Sequence, residues 1–302
     1  KYCRKIKYKN FFSRQRPFHR HRIGIFRQRH SKKCAKKQAI NMNYKEILIE
    51  AAYAGGKILR KYFGQTLGLT IKSTAADFKT KADVESEKEI LSILKVKLPQ
   101  YNIHSEEEGK LDNGSEYTII VDPLDGTNNF VMGIPNFSVS IAIIKNNETI
   151  AGVIYQPILN QTYFAEKGKG ATLNGKKIKV NNIVDRNQIT IAYNAGYKTA
   201  RDCVARIIND LIKSKHKRII NNWSPSYDYC LLASGKIESI ITDLGTEIYD
   251  YVAGKLIALE AGAKIMDING KRKINNILDN FIVSNSERTN KYIFSIINPT
   301  EK

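Results

Sequence analysis

Long apolar runs are missing from this 302-residue chain. Nothing in it approaches the roughly 20 uninterrupted apolar residues that a membrane-spanning helix needs, so an integral membrane segment is not expected. Cysteine is scarce. Cys3, Cys34, Cys203 and Cys230 have no CxxC spacing and no histidine partners at metal-ligand intervals, which argues against a zinc site or a disulfide scaffold. Reduced thiols and a cytoplasmic location are the expectation. A nucleotide-type phosphate loop is missing too. Lys167-Gly168-Lys169-Gly170 supplies glycines and lysines without a GxxxxGKS or GxxxxGKT run, and reads as a hairpin turn. There is no internal repeat.

Acidic residues are wholly absent from residues 1–41, which carry fifteen Lys and Arg. That segment holds +15 of the formal net charge of +20, leaving +5 for residues 42–302. The globular part is therefore only mildly basic, and the overall charge is weak evidence for a polyanion partner. Residues 1–41 are expected to be a disordered extension with three readings: an artefact, a targeting peptide, or a basic arm. Lysine-rich and serine-poor composition suits a transit peptide badly, and no nucleic-acid-binding module is recognisable. A nucleic acid or membrane partner is expected only if this tail is real. A fresh helical pattern follows Met42, where the catalytic protein is expected to start.

What is present is ordinary globular material, 42% hydrophobic and 26% charged. Apolar spacing predicts helices over residues 44–63 and 82–95, and strands over 69–72, 117–121, 137–145, 149–155 and 161–166, with Asn146-Asn147 turning the chain. From about residue 189 strands and helices alternate: strands 189–193, 218–221 and 237–242, and helices 199–213, 226–233 and 250–261. Strand 280–284 and a short helix close the chain. A meander followed by βα units predicts an α/β protein with an α+β layered arrangement, its two subdomains (42–180 and 181–302) sharing a cleft.

The strand Tyr117–Val121 delivers Asp122-Pro123-Leu124-Asp125-Gly126-Thr127-Asn128-Asn129-Phe130. Asp, Pro and Gly are common turn residues, so the run alone could be structural. Carboxylates at the end of a strand also sit where α/β sheets hold ligands, and hard oxygen donors suit Mg²⁺. Glu106, in Ser105-Glu106-Glu107-Glu108-Gly109, and Asp250, in Ile248-Tyr249-Asp250-Tyr251-Val252-Ala253-Gly254, are two further acidic sites at element boundaries. Phosphate-ester hydrolysis needs such a set, because cations must neutralise both the attacking and the leaving oxygen.

From about Met42 to the C-terminus the chain resembles the inositol monophosphatase family of Mg²⁺-dependent, lithium-sensitive phosphatases. The resemblance is carried by the Glu-Glu pair, Asp-Pro-Leu-Asp-Gly-Thr-x-Asn-Phe and the late Asp-x-x-Ala-Gly. It implies an alternating αβαβα sandwich of the inositol monophosphatase/fructose bisphosphatase type. Glu106, Asp122 and the carbonyl of Leu124 match one Mg²⁺ site; Asp122, Asp125 and Asp250 match a second. Thr127 matches the threonine that, with the glutamate, orients the attacking water, and the amides of Gly126 and Thr127 match the phosphate cradle. Asp83, with Lys72 nearby, matches a weaker third Mg²⁺. The resemblance further implies a small phosphorylated substrate, most readily an inositol monophosphate, and a homodimer. Fructose 1,6-bisphosphate and 3′-phosphoadenosine 5′-phosphate are the alternative substrates, and a non-catalytic polyanion binder using residues 1–41 is the alternative of another kind.

The substrate side departs from the family pattern. Tyr249-Asp250 stands where Trp-Asp is usual. The segment Asn221-Asn222-Trp223-Ser224-Pro225-Ser226 differs from the usual Gly-Ser/Thr-Ala-Ala. Asp243 stands seven residues before Asp250, where relatives often place a glutamate against sugar hydroxyls; it is equally a strand-end turn residue. Glu107 and Glu108 read as solvated neighbours, Asn128 and Asn129 as structural, His104 and His216 as ordinary histidines, and Trp223 as a packing residue.

Overall fold

The computed structural model describes residues 43–298 apart from Thr74, Ala76, Lys198, Leu244 and residues 272–279. The chain divides into two units, Lys1–Met42 and Asn43–Lys302. Everything expected of residues 1–41 lies outside the described residues. Helix α1 (Tyr44–Tyr62) opens the second unit, followed by a hairpin of β1 (Leu69–Ile71) and β2 (Phe78–Thr80), helix α2 (Lys81–Lys97), β3 (Asn102–Ser105) and β4 (Gly109–Leu111). Next come β5 (Tyr117–Asp125), the short helix α3 (Thr127–Val131), β6 (Ser138–Lys145), β7 (Glu148–Gln156), β8 (Gln161–Glu166), β9 (Ala171–Leu173) and β10 (Lys176–Lys177). The second half contains β11 (Thr190–Asn194), α4 (Arg201–Lys213), β12 (Arg218–Ile220), α5 (Pro225–Ala233), β13 (Ser239–Thr242), α6 (Ile248–Glu260), β14 (Lys264–Asp267), β15 (Phe281–Ser284) and α7 (Glu287–Ile297).

Two large sheets result, one ordered β10-β9-β8-β7-β6-β5-β3-β4 and the other β12-β11-β13-β15-β14. Their layers follow from which faces are apolar. Helices α1 and α2 pack on each other and on β5, β6 and β7. On the opposite face of that sheet, Ile120, Ala142, Ile154 and Ala165 share one core with Tyr229 and Leu232 of α5, Val252 and Leu256 of α6, and Ala192, Ile240 and Val283 of the second sheet. Period-two alternation sends the intervening Ile191, Tyr193, Ile241 and Ile282 to the far side, against Ile207 and Leu211 of α4 and Ile293 and Ile297 of α7. The order is helix, sheet, helix, sheet, helix, which is the expected αβαβα sandwich.

The long periodic elements and the short β1, β12, β13 and β15 agree with the sequence reading; among the described residues, β2, β3, β4, α3, β9, β10, β14 and a 3-10 turn at Arg186–Gln188 were not expected from it. The Asn146-Asn147 turn is present, with both residues at positive φ, 48° and 65°, as a hairpin twist requires.

One buried charge stands out in this core. Lys255 of α6 is 1% exposed, its Nζ 4.9 Å from the Tyr251 ring centre and 4.7 Å from that of Phe281. Burial pulls its ammonium down to about 7. In the unfolded chain it titrates near ~10.4. The unfolded state therefore binds the extra proton between these values, and stability is lost as pH falls from ~10.4 to about 7, then levels off. Lys255→Met keeps the volume without the charge. It is expected to flatten that slope in thermal melts taken between about pH 7 and ~10. An unchanged slope in the variant would overturn this reading.

Candidate metal and phosphate site

In a regular strand, residues three apart face opposite sides, so Asp122 and Asp125 should diverge. They converge because β5 carries a bulge. Asp122 pairs with Ser140 and Asp125 with Ser138, three steps on β5 against two on β6. Pro123, which cannot donate to a ladder, lies within the bulge. The run read as a turn is thus strand that bends and then ends at Gly126.

Parallel pairing of β3 with β5, Ser105 opposite Val121, brings Glu106 alongside Asp122, and the Glu106 amide donates to the Val121 carbonyl (3.1 Å). Asp250 arrives from the other side as the third residue of α6. There it accepts the Glu247 amide (2.8 Å) in a capping box; it therefore caps its own helix while its carboxylate joins the cluster. Oxygens of Asp122, Asp125 and Asp250 lie within 4.8 Å of one another. Among the described residues this is the one such group of three acidic, histidine or cysteine ligands.

The cluster gathers carboxyls where burial and mutual repulsion oppose their ionisation. Burial first, then the charges of Glu106, Asp125 and Asp250, hold the Asp122 carboxyl well above its ordinary value. Asp250 is raised by burial and then by Glu106 and Asp125. Burial likewise pushes Asp125 up to about 7, against hydrogen bonds that favour its ionised form. Those bonds come from Ser138 Oγ (3.1 Å), Ser224 Oγ and the Ser226 amide (3.3 Å). Four acids packed this closely, fixed by neighbours and mutually repelling, form an oxygen-donor set that fits hard divalent cations.

Gly126 turns the chain at φ +89° into α3. A Cβ there would meet the Asn136 carbonyl at 3.0 Å and the Trp223 carbonyl at 3.3 Å, so both backbone conformation and space demand glycine. The next residue, Thr127, has its hydroxyl 3.2 Å from Asp83 Oδ1 and 3.1 Å from the Leu124 carbonyl, one proton between two acceptors.

Asp83 therefore stands beside Thr127 and outside the three-acid cluster. It is fully buried at the start of α2, its Oδ2 accepting the Thr80 amide (2.7 Å) and hydroxyl (2.6 Å). Burial, with the nearby charges of Glu106 and Glu107, pushes it up to about 7 despite the Thr80 bonds. The Asp83–Thr127 contact was not foreseen, because 44 residues separate the pair.

Glu107 corrects another expectation. Its side chain is 3% exposed and ion-paired to Lys72 and to Lys79 (3.2 Å), so it is no solvated neighbour. It ties the β1–β2 hairpin to the site, where Lys72 also bridges to Glu106 (2.8 Å). Glu87 of α2 holds this turn from behind, accepting the Ser105 hydroxyl and the Glu107 amide (2.9 Å). Glu108 is surface, 52% exposed and paired with Lys95. Asn129 is structural, its amide donating to the carbonyls of Asn136 and Asn222 (both 2.7 Å).

On the substrate side, Asp243 is 6% exposed and accepts the Tyr193 hydroxyl (2.7 Å) on the α4/α7 face of its sheet. Its neighbour Thr242 instead meets Tyr229 on the α5/α6 face. Trp223 is not a core residue: it is 53% exposed, at φ +53°. Tyr197 is also exposed, yet its hydroxyl accepts from Asn128 Nδ2 (3.1 Å), and burial of that end followed by the charges of Asp77, Asp250 and Glu106 raises its phenol.

The model of the inositol monophosphatase family matches residues 41–299. The chain belongs to that family of phosphatases. Among its relatives, Nus factor SuhB of Pasteurella multocida is 33% identical over 260 residues, covering 84% of this chain and 95% of its own. The fructose-1,6-bisphosphatase/inositol-1-monophosphatase of Thermotoga maritima is 33% identical over 230 residues, covering 76% and 86%. The crystal structure of the extragenic suppressor protein SuhB of Bartonella henselae superposes with a TM-score of 0.78 at 27% identity, over 85% of this chain and 99% of that one. No helix among the described residues is long and apolar enough to cross a membrane.

Proposed function

We propose that this inositol monophosphatase family member is a Mg²⁺-dependent phosphate monoester hydrolase acting on a small sugar or polyol phosphate, inositol monophosphate first among them. The observation that carries the reading is the convergence of Asp122, Asp125 and Asp250 within 4.8 Å, one turn from Thr127. Glu106, Asp122 and the Leu124 carbonyl would hold one cation, and Asp122, Asp125 and Asp250 a second. Bound there, Mg²⁺ supplies neutralisation of the attacking and leaving oxygens and a lowered water pKa.

The chain's own groups do the rest. The Gly126 and Thr127 amides, opening α3, cradle the phosphate oxygens. Thr127 and Glu106 orient the attacking water, and Asp83, hydrogen-bonded to the Thr127 hydroxyl (3.2 Å), is placed to receive a proton through it. Lys72, paired with Glu106 and Glu107, offsets part of the acidic charge beside the cluster. A third cation at Asp83 is not part of this proposal, since both of its oxygens already serve Thr80 and Thr127.

A phosphate-release assay over sugar, inositol and nucleotide monophosphates, with and without Mg²⁺, tests the reading. Mg²⁺-dependent release that lithium inhibits is expected; metal-independent release would sink the scheme. A second reading, polyanion binding, is favoured by the +15 charge of residues 1–41. Truncation at Met42 separates the two: the enzyme keeps its turnover, whereas a binder loses salt-sensitive RNA binding.

A further inference from the structure

The chain's single tryptophan is held in a place that packing does not explain. Trp223 is 53% exposed and adopts φ +53°, a left-handed conformation in which bulky residues are outliers. Strain of this kind persists where the surroundings over-determine it, and here both flanks are clamped. The Asn222 carbonyl accepts from Asn129 Nδ2 (2.7 Å) and Asn136 Nδ2 (3.0 Å), and Asn222 Nδ2 donates to the buried Asp228 (2.6 Å). On the other flank, Ser224 Oγ donates to Asp125 Oδ2. The Trp223 carbonyl packs against Gly126, so the exposed indole is rooted beside the phosphate turn. Tyr197, 57% exposed, is tied to the same turn through Asn128.

Among the described residues, two positions on this side offer a substrate hydroxyl little. Asp243 is buried against Tyr193, and Pro225, the first residue of α5, has no amide proton to give. Two exposed aromatic residues are instead anchored on the phosphate turn, Trp223 through its carbonyl against Gly126 and Tyr197 through its hydroxyl on Asn128. With phosphate on Gly126 and Thr127, a ring that carries the ester oxygen directly is the nearest part of a substrate to these anchors, and the base of a nucleoside 5′-phosphate is one furanose further out.

We propose that Trp223 is a specificity-determining residue: its indole receives the apolar face of a cyclitol or pyranose ring that bears the phosphate ester directly. The inference rests on the phosphatase reading above. Stacking on an aromatic face discriminates by roughly three- to tenfold.

The test measures kcat/KM of the full chain with Mg²⁺ for myo-inositol 1-phosphate, glycerol 2-phosphate and adenosine 5′-phosphate, in wild type, Trp223→Ala and Trp223→Phe. The inositol-to-glycerol ratio is expected to fall about three- to tenfold in Trp223→Ala and to recover in Trp223→Phe. Stopped-flow emission of the lone tryptophan should respond to inositol phosphate and not to glycerol phosphate. An unchanged ratio in a folded, active Trp223→Ala enzyme overturns the inference and leaves the phosphatase reading standing. A loss confined to adenosine phosphate overturns it in favour of base stacking. Absence of hydrolysis of all three esters by wild type overturns both readings.

Discussion

Asp122→Asn is expected to abolish turnover while making the metal-free protein more stable. Asparagine is nearly isosteric, so the bulge in β5 and the bond from the Leu124 amide to the side-chain oxygen (3.0 Å) survive. What disappears is the charge that two cations would share. Changes to groups that merely support a metal ligand cost ~10–100-fold; loss of the shared ligand itself should cost on the order of 10³-fold or more in kcat/KM. Stability moves the other way. The Asp122 carboxyl is raised by burial and by three acidic neighbours. Its contribution to metal-free stability is therefore complete below pH ~4 and is lost as pH rises toward the raised value. Asparagine removes that loss, and each ~1 kcal/mol recovered moves Tm by roughly 2–4 °C. Melts in EDTA and in Mg²⁺ check both halves: wild type gains stability on adding Mg²⁺ and the variant gains little. Near-normal turnover by Asp122→Asn at saturating Mg²⁺ would falsify the shared-ligand assignment.

Thr127→Val removes one hydroxyl and little else. Valine fits the same volume at the first position of α3, but Asp83 Oδ1 loses its donor and the water loses its contact. General-base assistance is worth ~10²–10⁴-fold, so kcat is expected to fall by that order. KM should change little, because the Gly126 and Thr127 amides proposed to hold phosphate are backbone. Thr127→Ser should restore most of the rate, which a purely structural threonine would not require. A Thr127→Val enzyme whose KM rises while kcat holds would place the hydroxyl in binding rather than in proton transfer.

Much of the acidic cluster was legible in one dimension because Asp122, Asp125 and Asp250 sit at element ends marked by strong local signals. The β-branched run before Asp122, the glycine after Asp125 and the apolar helix after Asp250 are all visible as sequence. The layered fold was legible for the same reason, since α1, α2, β5 to β8 and α6 are long and periodic. The short strands β3 and β4 were not, because Asn102–Ser105 and Gly109–Leu111 are largely polar or glycine-containing and lack the β-branched runs that marked the equally short β12, β13 and β15. Partnerships across distance were invisible as well. Nothing near Asp83 announces Thr127, nothing near Glu107 announces Lys79, and Ser224 and Ser226 are ordinary helix-start serines until they are found on Asp125. Trp223 was misread for a general reason: a lone aromatic looks like core until its exposure is known.

The grip of Ser224 on Asp125 spans 99 residues of chain, and Asp250 comes later still. During synthesis a nascent chain that has extruded β5 already carries Glu106, Asp122 and Asp125, yet it has neither the serines that fix Asp125 nor the last acid. Competence for hydrolysis thus arrives only once the second sheet has formed and α5 and α6 have slotted between the layers. Recovery of activity on refolding should accordingly trail recovery of helical signal, making turnover the stricter report of a finished molecule.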